Sequence, residues 1–498
     1  MIAALEARFA GQAIRSRMAL AALCGAGIGV GQPPFGAFWA MFLAGPLLIL
    51  IVDTAETPRR AAWIGWAAGA GYFALTLSWI VEPFLVDIAR HGWMAPFALV
   101  FLAGGLALFW AAAFWLAERW FSGVGHVLAL AAFLSLAELA RGSVLTGFPW
   151  ALAAYAWTET PLMQMAAWIG PYGLTALTFL AIFLPARRAL GAGLALLILG
   201  SGWWLGTERL ARIEVAETGK TVRIVQPNAA QHLKWQPEMI PVFFERQLAA
   251  TAAPGAPDIV VWPEVAVPFL YGERPDLVAA ITEAAGGAHV IYGLRHIDAA
   301  GGWFNSMAVA RDGVDLSRSD KVHLVPFGEY MPFADLFARF GVFGLAAEDL
   351  AGYSPGPELA AVSVPGLPAF LPLICYEAIF PLEVSRGRGD AEWMVHATND
   401  AWFGEWTGPY QHLAQARFRA VEQGLPVARS ANTGVSAMID PLGRITASLP
   451  LGVDGHIDAA LAGPLPRTHY ADYGLLPFVG LVSVFAALAL VLRRRGAG

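Results

Sequence analysis

The chain has 498 residues, of which 57% are hydrophobic and only 14% charged, with a formal net charge of -6 and two cysteines. An ordinary soluble protein carries about 25% charged residues, so a purely soluble globule is excluded, and the small net charge speaks against a nucleic-acid partner. Cys24 and Cys375 lie hundreds of residues apart, exclude a disulfide framework and are expected to stay unbridged.

Apolar stretches approaching the about 20 residues that cross a bilayer occur at 18–32, 36–52, 61–83, 95–117, 125–141, 161–184, 189–206 and 473–492. They predict eight spans, seven before residue 207 and one at the end. "GQPPFG" at 31–36 breaks the first from the second, which leaves two separate helices or a broken hairpin open. No convincing small-residue cleavage site follows the first stretch and a second apolar stretch comes soon after, so a cleavable signal peptide is not expected. Arg8, Arg15 and Arg17, then Arg59 and Arg60, Arg119, Arg187 and Arg188, and finally Arg493, Arg494 and Arg495 flank the spans. All fall on one side if both termini are cytoplasmic. Segment 207–472 then lies outside, in the periplasm of a Gram-negative cell. The expected domains are therefore 1–206 in the membrane, 207–472 outside it, and 473–498 as a last span with a basic tail. Glu138 and Arg141, three apart on one helix face, read as a local ion pair, with head-group binding as the alternative.

From residue 221 the texture changes. "TVRIVQPNA", "DIVVWPEVAV", "HVIYGLRHI", "FNSMAVA", "AFLPLICYEAIF", "EWMVHATND", "SANTGVSAMID" and "GHIDAALA" are short β-rich runs bounded by Gly, Pro, Asn and Asp. Helical patterns at 239–253, 273–286 and 410–424 separate several of them. Strands alternating with helices, then paired strands, imply an α/β or α-β-β-α layered domain of about 250 residues, large enough for one full core.

Three residues in this segment carry chemistry. Cys375 ends an apolar strand two residues before Glu377; a buried structural thiol needs no polar company, whereas a reactive one needs a base and an oxyanion partner. Glu264 follows a strand and is flanked by Pro263 and Pro268. Lys321 opens "KVHLVPFGEYMP". Lysine occurs only at positions 220, 234 and 321 among 32 Lys and Arg residues, and a lysine retained amid arginine offers a compact point charge that Arg does not. A Cys–His pair competes with this reading, and spacing alone leaves His323, His396 and His412 all available.

"VVWPE", "KVHLVPFGEYMP", "ICYEAIF" and "NDAWFG" resemble the signature blocks of the nitrilase superfamily. With the spans before and after them, and with "LTGFPW" at 145–150, nearly the whole chain resembles the apolipoprotein N-acyltransferase family. The resemblance implies a Glu264–Lys321–Cys375 catalytic triad, with Glu329, Tyr376 and Glu377 in support. Trp235, Asn399 and Trp402 match motif positions near the substrate. It implies an acyl transfer through a Cys thioester, from a phospholipid to the N-terminal amine of a diacylglyceryl-cysteine apolipoprotein, the final step of lipoprotein maturation. Glu377 and Glu329 are expected to hold Lys321 or Glu264 in position. No metal motif or nucleotide loop is present, and no cofactor is expected; the partners are the phospholipid donor, the apolipoprotein and the bilayer, and the chain is expected to act as a monomer. "RFGVFGLAAEDL" at 339–350 reads as an apolar loop, either packed on the domain's core or, through Phe343, forming a lid over the acyl chain, with "VPFLY" at 267–271 opposite. The rival functions are a membrane-tethered nitrilase-type amidase or thioester hydrolase, and a non-catalytic membrane scaffold or transporter.

Overall fold

The computed structural model describes residues 7–332 and 352–495, which fall into two compact units, Met1–Ile213 with Thr468–Gly498, and Glu214–Arg467. The expected loop 339–350 with Phe343 lies outside the described residues.

The first unit is built of apolar helices: α1 (Ile14–Gly29), α2 (Phe38–Val52), α3 (Pro58–Thr76), α4 (Ala95–Trp120), α5 (Gly123–Arg141), α6 (Ala166–Phe183), α7 (Arg188–Arg212) and α12 (Leu476–Arg495). Small residues let them approach closely. A Cβ on Gly25 would lie 1.8 Å from the Ala68 carbonyl oxygen, and one on Gly71 2.0 Å from that of Ala22, so α1 and α3 cross backbone to backbone. Helix α7 doubles back: Gly191 lies against Leu184, and Gly206 against Pro161 at the start of the preceding helical stretch.

Helices therefore run through all eight expected stretches, but not all reach spanning length. Four stretches are long and apolar enough by length and composition, namely Ile88–Trp120, Gly123–Arg141, Pro161–Arg212 and Leu476–Arg493. The pair Pro58–Thr76 and Ser78–Leu85, bent by 49°, makes a fifth. The reversal at Arg188 divides Pro161–Arg212 into the two antiparallel segments expected there. The stretches expected at 18–32 and 36–52 are two separate helices, α1 of 16 residues and α2 of 15, each shorter than the about 20 residues of a full crossing. The Gln32–Gly36 break is the reason both stop early. Glu138 and Arg141 form a buried pair. Glu138 also accepts from the Trp110 indole at 2.8 Å, and Arg141 donates to the Phe148 carbonyl within "LTGFPW". Both groups are engaged within the protein, as the ion-pair reading requires.

The second unit contains two sheets. One has the order β11-β1-β2-β3-β4-β5 and the other β10-β9-β8-β7-β6. The strands are β1 (Glu217–Gln226), β2 (Ile259–Val261), β3 (His289–Ile297), β4 (Trp303–Arg311), β5 (Val314–Asp320), β6 (Phe370–Ile374), β7 (Trp393–Thr398), β8 (Val427–Ala431), β9 (Ser436–Ile439), β10 (Ile445–Leu449) and β11 (Gly455–Ala462). β1–β3 and β6–β8 pair in parallel and are buried apolar runs at their centres, as strands covered on both faces must be. Helices α8 (Met239–Thr251) and α9 (Pro275–Ala284) pack on the first sheet through Phe244, Leu248, Val278 and Ile281. Helices α10 (Pro381–Gly387) and α11 (Gly408–Gln423) cover the second through Val384, Leu413, Ala416 and Ala420. The inner faces meet across bonds such as Ser430 Oγ to the Val225 carbonyl at 2.8 Å. This is the α-β-β-α sandwich.

Two strands depart from the expected pattern. β5, "VDLSRSD", is a polar strand without apolar alternation, formed because Asp312 (φ 52°) and Gly313 (φ 78°) turn β4 back on itself. β11 does not pair with β10 but crosses to β1, tying the end of the unit to its beginning.

Candidate active site

Glu264, Cys375 and Asn399 follow β2, β6 and β7, so the chemistry-bearing residues cluster beyond the carboxyl ends of parallel strands, where α/β sheets bind ligands. Cys375 has φ 52°, in the left-handed region, and turns the chain from β6 into the 3₁₀ turn Cys375–Ile379. A non-glycine residue there stores of order 1–3 kcal/mol, so its surroundings must hold it. On one side stands Glu377. Its Oε2 accepts from the Ile374 N–H at 2.7 Å, and its Oε1 from the N–H groups of Val322 and His323 at 2.7 and 3.3 Å. Glu377 thus acts on the backbone: it fastens the segment that follows Lys321 to the residue before the thiol. On the other side, the Cys375 carbonyl oxygen accepts from His396 Nε2 at 3.1 Å and lies 3.2 Å from His412 Nε2. Behind them lies a fully buried network in which Asp400 receives His412 Nδ1 at 2.9 Å, Thr398 Oγ1 at 3.0 Å and the Arg429 guanidinium. Arg429 also donates to His396 Nδ1 at 2.9 Å, which assigns the His396 proton to Nε2.

Lys321 is 1% exposed. Its ammonium lies 2.8 Å from Glu329 Oε1 and 3.5 Å from Glu264 Oε1. Asn305 bridges the same two carboxylates, its Nδ2 donating to Glu264 at 2.7 Å and to Glu329 at 3.1 Å. The other Glu329 oxygen accepts from the Val325 N–H at 2.8 Å. Burial alone would lower the Lys321 ammonium, but Glu329 and Glu264, with Cys375, outweigh it and hold it above its usual range. Burial, reinforced by the Glu264 charge, pushes the Cys375 thiol up, and Lys321 pulls the other way. Burial lifts Glu377 to about 7 against its three backbone donors and Lys321. The site therefore joins a carboxylate, a permanent cation and a resting thiol.

The histidines offered as partners for the thiol do other work. His396 and His412 go to the Cys375 carbonyl, and burial lowers both. His323 Nδ1 meets Glu383 at 2.8 Å while its ring stacks on Phe380. Tyr376 is buried, its ring packed on Phe380 and His323. Asn399 uses both ends of its amide inside the protein, donating to Gln231 and accepting from Asn432, each at 2.8 Å, and so braces the 229–232 segment. Trp402 is partly exposed in the turn Asp400–Phe403, and Trp235 is 39% exposed. Lys234 donates to the Glu264 carbonyl oxygen at 3.2 Å, and burial brings it down to about 8. Among the described residues no group of three His, Cys, Asp or Glu side chains could hold a metal ion. Asn305, Lys234 and the Asp400–Arg429 network were not singled out in the sequence. Asn305 has a weak signal, a buried amide in the apolar strand "FNSMAVA".

Sandwich and site together define a carbon–nitrogen hydrolase domain of nitrilase type on a chain that also carries a membrane unit. The carbon-nitrogen hydrolase family matches residues 221–464, and the apolipoprotein N-acyltransferase N-terminal domain matches residues 24–184. Apolipoprotein N-acyltransferase of Rhodopseudomonas palustris is 38% identical over 516 residues, covering 96% of this chain and 95% of its own. That of Brucella melitensis is 40% identical over 494 residues, covering 92% and 93%. Among solved structures, a nitrilase-superfamily amidase from Nesterenkonia AN1 is similar at 19% identity and a TM-score of 0.36, over 51% of this chain and 93% of that one. The chain belongs to the apolipoprotein N-acyltransferase family.

Proposed function

We propose that this membrane protein moves an acyl chain from a phospholipid to Cys375, as a thioester, and then to the N-terminal amine of a diacylglyceryl-cysteine apolipoprotein. As a member of its family it is an acyltransferase. The observation that carries the residue assignment is the buried Lys321 ammonium, held against Glu264 and Glu329 and within electrostatic reach of the only cysteine in this unit. In the first half-reaction the Cys375 proton passes to Glu264 as sulfur bonds to the ester carbonyl carbon. The oxyanion forms beside Lys321 and the Tyr376 backbone N–H. Collapse expels the lysophospholipid alkoxide, which takes the proton back from Glu264. In the second, the amine attacks the thioester, Glu264 receives its proton, and the departing thiolate is reprotonated as the amide forms. Lys321 keeps its charge throughout and acts as an electrostatic group, not as a base.

The arginine-rich loops support a multi-pass inner-membrane protein with both termini cytoplasmic and the 207–472 segment on the periplasmic side; we take it to act as a monomer. The test is intact mass after incubation with phospholipid alone, where an acyl adduct is expected on Cys375. Adding a diacylated lipopeptide should clear the adduct and yield an amide. Release of free fatty acid at the same rate without the lipopeptide would favour the hydrolase instead.

A further inference from the structure

In the antiparallel register of β3 and β4, Arg295 stands directly opposite Asn305. Directly paired residues send their side chains to the same face of a sheet, with Cβ atoms about 4.5–5.5 Å apart. Asn305 holds Glu264, so Arg295 is one strand away from the catalytic carboxylate. Its guanidinium carbon lies 5.0 Å from the centre of the Trp235 ring and 5.8 Å from that of Trp303. Two indoles thus fix the cation in place. The fully buried arginines of this unit each hold a carboxylate: Arg223 has Asp458, Arg419 has Glu422 and Arg429 has Asp400. Arg295 differs. Among the described residues no carboxylate comes within ion-pair distance of it, and its buried Nε has no hydrogen-bond partner. Lys234, 5.4 Å from the same Trp235 ring, likewise has no carboxylate at ion-pair distance, and its one hydrogen bond goes to the Glu264 backbone. Two cations converge on one half-exposed indole at the edge of the active site, and among the described residues neither has a carboxylate at ion-pair distance. Arg295 is partly exposed, so its guanidinium, backed by two indoles and facing no carboxylate among the described residues, is open to an anionic ligand.

We propose that Arg295, walled by Trp235 and Trp303 and seconded by Lys234, receives the phosphodiester of the acyl donor. The proposal rests on the acyl-transfer reading and adds the group by which the donor is recognised. A planar guanidinium matches two phosphate oxygens at once. In a glycerophospholipid only the glycerol backbone separates the phosphorus from the ester carbonyls, so a phosphate held at Arg295 brings an ester towards the triad. The acceptor's diacylglyceryl-cysteine end carries no phosphate. The subsite therefore serves thioester formation and is idle during aminolysis.

The experiment uses the full chain in neutral detergent and compares a glycerophospholipid with a diacylglycerol of the same acyl chains. Acyl adduct formation on Cys375 is followed by intact mass for the native protein, Arg295→Met and Arg295→Lys. The phospholipid-to-diacylglycerol rate ratio should fall about tenfold or more in Arg295→Met and less in Arg295→Lys, the order expected for a bidentate charge-assisted contact. Equal slowing of both donors, or an unchanged ratio, would overturn the subsite and leave acyl transfer standing. Glycerophosphoethanolamine should slow acylation of the native protein but not of Arg295→Met; equal inhibition by inorganic phosphate would overturn the lipid assignment. If neither donor acylates the native protein, the acyl-transfer reading fails. Calorimetric titration of Cys375→Ala with short-chain phospholipid then decides the subsite alone: loss of binding on adding Arg295→Met supports it, and unchanged binding overturns it.

Discussion

Replacing Asn305 by Asp, a near-isosteric change, should damage this protein more than replacing it by Ala. In the native site the amide nitrogen donates to Glu264 at 2.7 Å and Glu329 at 3.1 Å. Asn305→Ala removes both donors, each to a charged acceptor and worth about 1.5–3 kcal/mol, although Lys321 still faces both carboxylates. Asn305→Asp turns the same contacts into oxygen against oxygen. Two like charges about 4 Å apart at an effective dielectric of 20 repel by about 4 kcal/mol, and here there are two such pairs. The introduced carboxyl will take up a proton instead. From an unfolded value of about 3.9, that costs roughly 4 kcal/mol at pH 7, in addition to the one donor, about 1.5–3 kcal/mol, that a protonated carboxyl no longer supplies. The sign follows: a carboxyl whose folded pKa is raised loses stability as pH climbs from about 4 through that raised value. Relative to the native protein, the variant should be mildly affected near pH 4.5 and worst near pH 8, while Asn305→Ala shows a pH-independent deficit. Thermal unfolding in detergent at several pH values, with thioester formation on the same samples, provides the check. An Asn305→Asp deficit that does not grow with pH, or thioester formation at the native rate at pH 8, would refute the reading of Asn305 as the donor that joins the two carboxylates.

Cys375→Ser should abolish acyl transfer whereas Cys24→Ser, in α1, should preserve it; transfer assays on both variants decide. Lys321→Arg keeps the charge but replaces a point cation by a planar fork where 2.8 and 3.5 Å contacts leave little room; the thioester rate should drop about 10²–10³-fold, and near-native turnover would make the lysine a structural counter-ion. Glu264→Gln should fold, as judged by an unfolding temperature close to native, yet form thioester far more slowly; an undiminished rate would point to another base.

How much of this was legible depended on whether a residue's partner was near it in sequence or in a recognisable block. Glu264, Lys321 and Cys375 stand in three separated motifs whose resemblance to known signature blocks implied base, cation and nucleophile, and Lys321 lies 3.5 Å from Glu264 with Cys375 within the electrostatic reach of both. The two-sheet sandwich followed from strands alternating with helices. Asn305 was hidden because its meaning lies in two carboxylates delivered by other segments, and a polar residue in a strand is otherwise unremarkable. Glu377 was noticed for its place beside the thiol, but its acceptors' task, clasping the N–H groups of Val322, His323 and Ile374, depends on a register between β6 and a loop that no periodicity encodes. In the membrane unit the break at "GQPPFG" was legible from its Gly and Pro residues, and it separates α1 from α2 as two helices.

Charge at the site constrains the order of events. A Lys321 ammonium held up by Glu329 and Glu264 cannot serve as the base for sulfur or for the amine. A thiol pushed up by burial and by Glu264 is not a standing thiolate either. On the proposed assignment, proton transfer to Glu264 accompanies carbon–sulfur bond formation, when negative charge leaves sulfur for the carbonyl oxygen and is met by Lys321. That coupling protects the thiol. A thiolate would react with any electrophile in reach, whereas this one becomes nucleophilic only with an ester in place. It also explains why two backbone clasps, Glu377 on one side and the His396–His412 pair on the other, hold Cys375 in a strained conformation. If sulfur, base and cation must act in a single step, a displacement of about 1 Å is enough to cost 10²-fold in rate, so rigidity of the thiol's backbone is a condition of the chemistry.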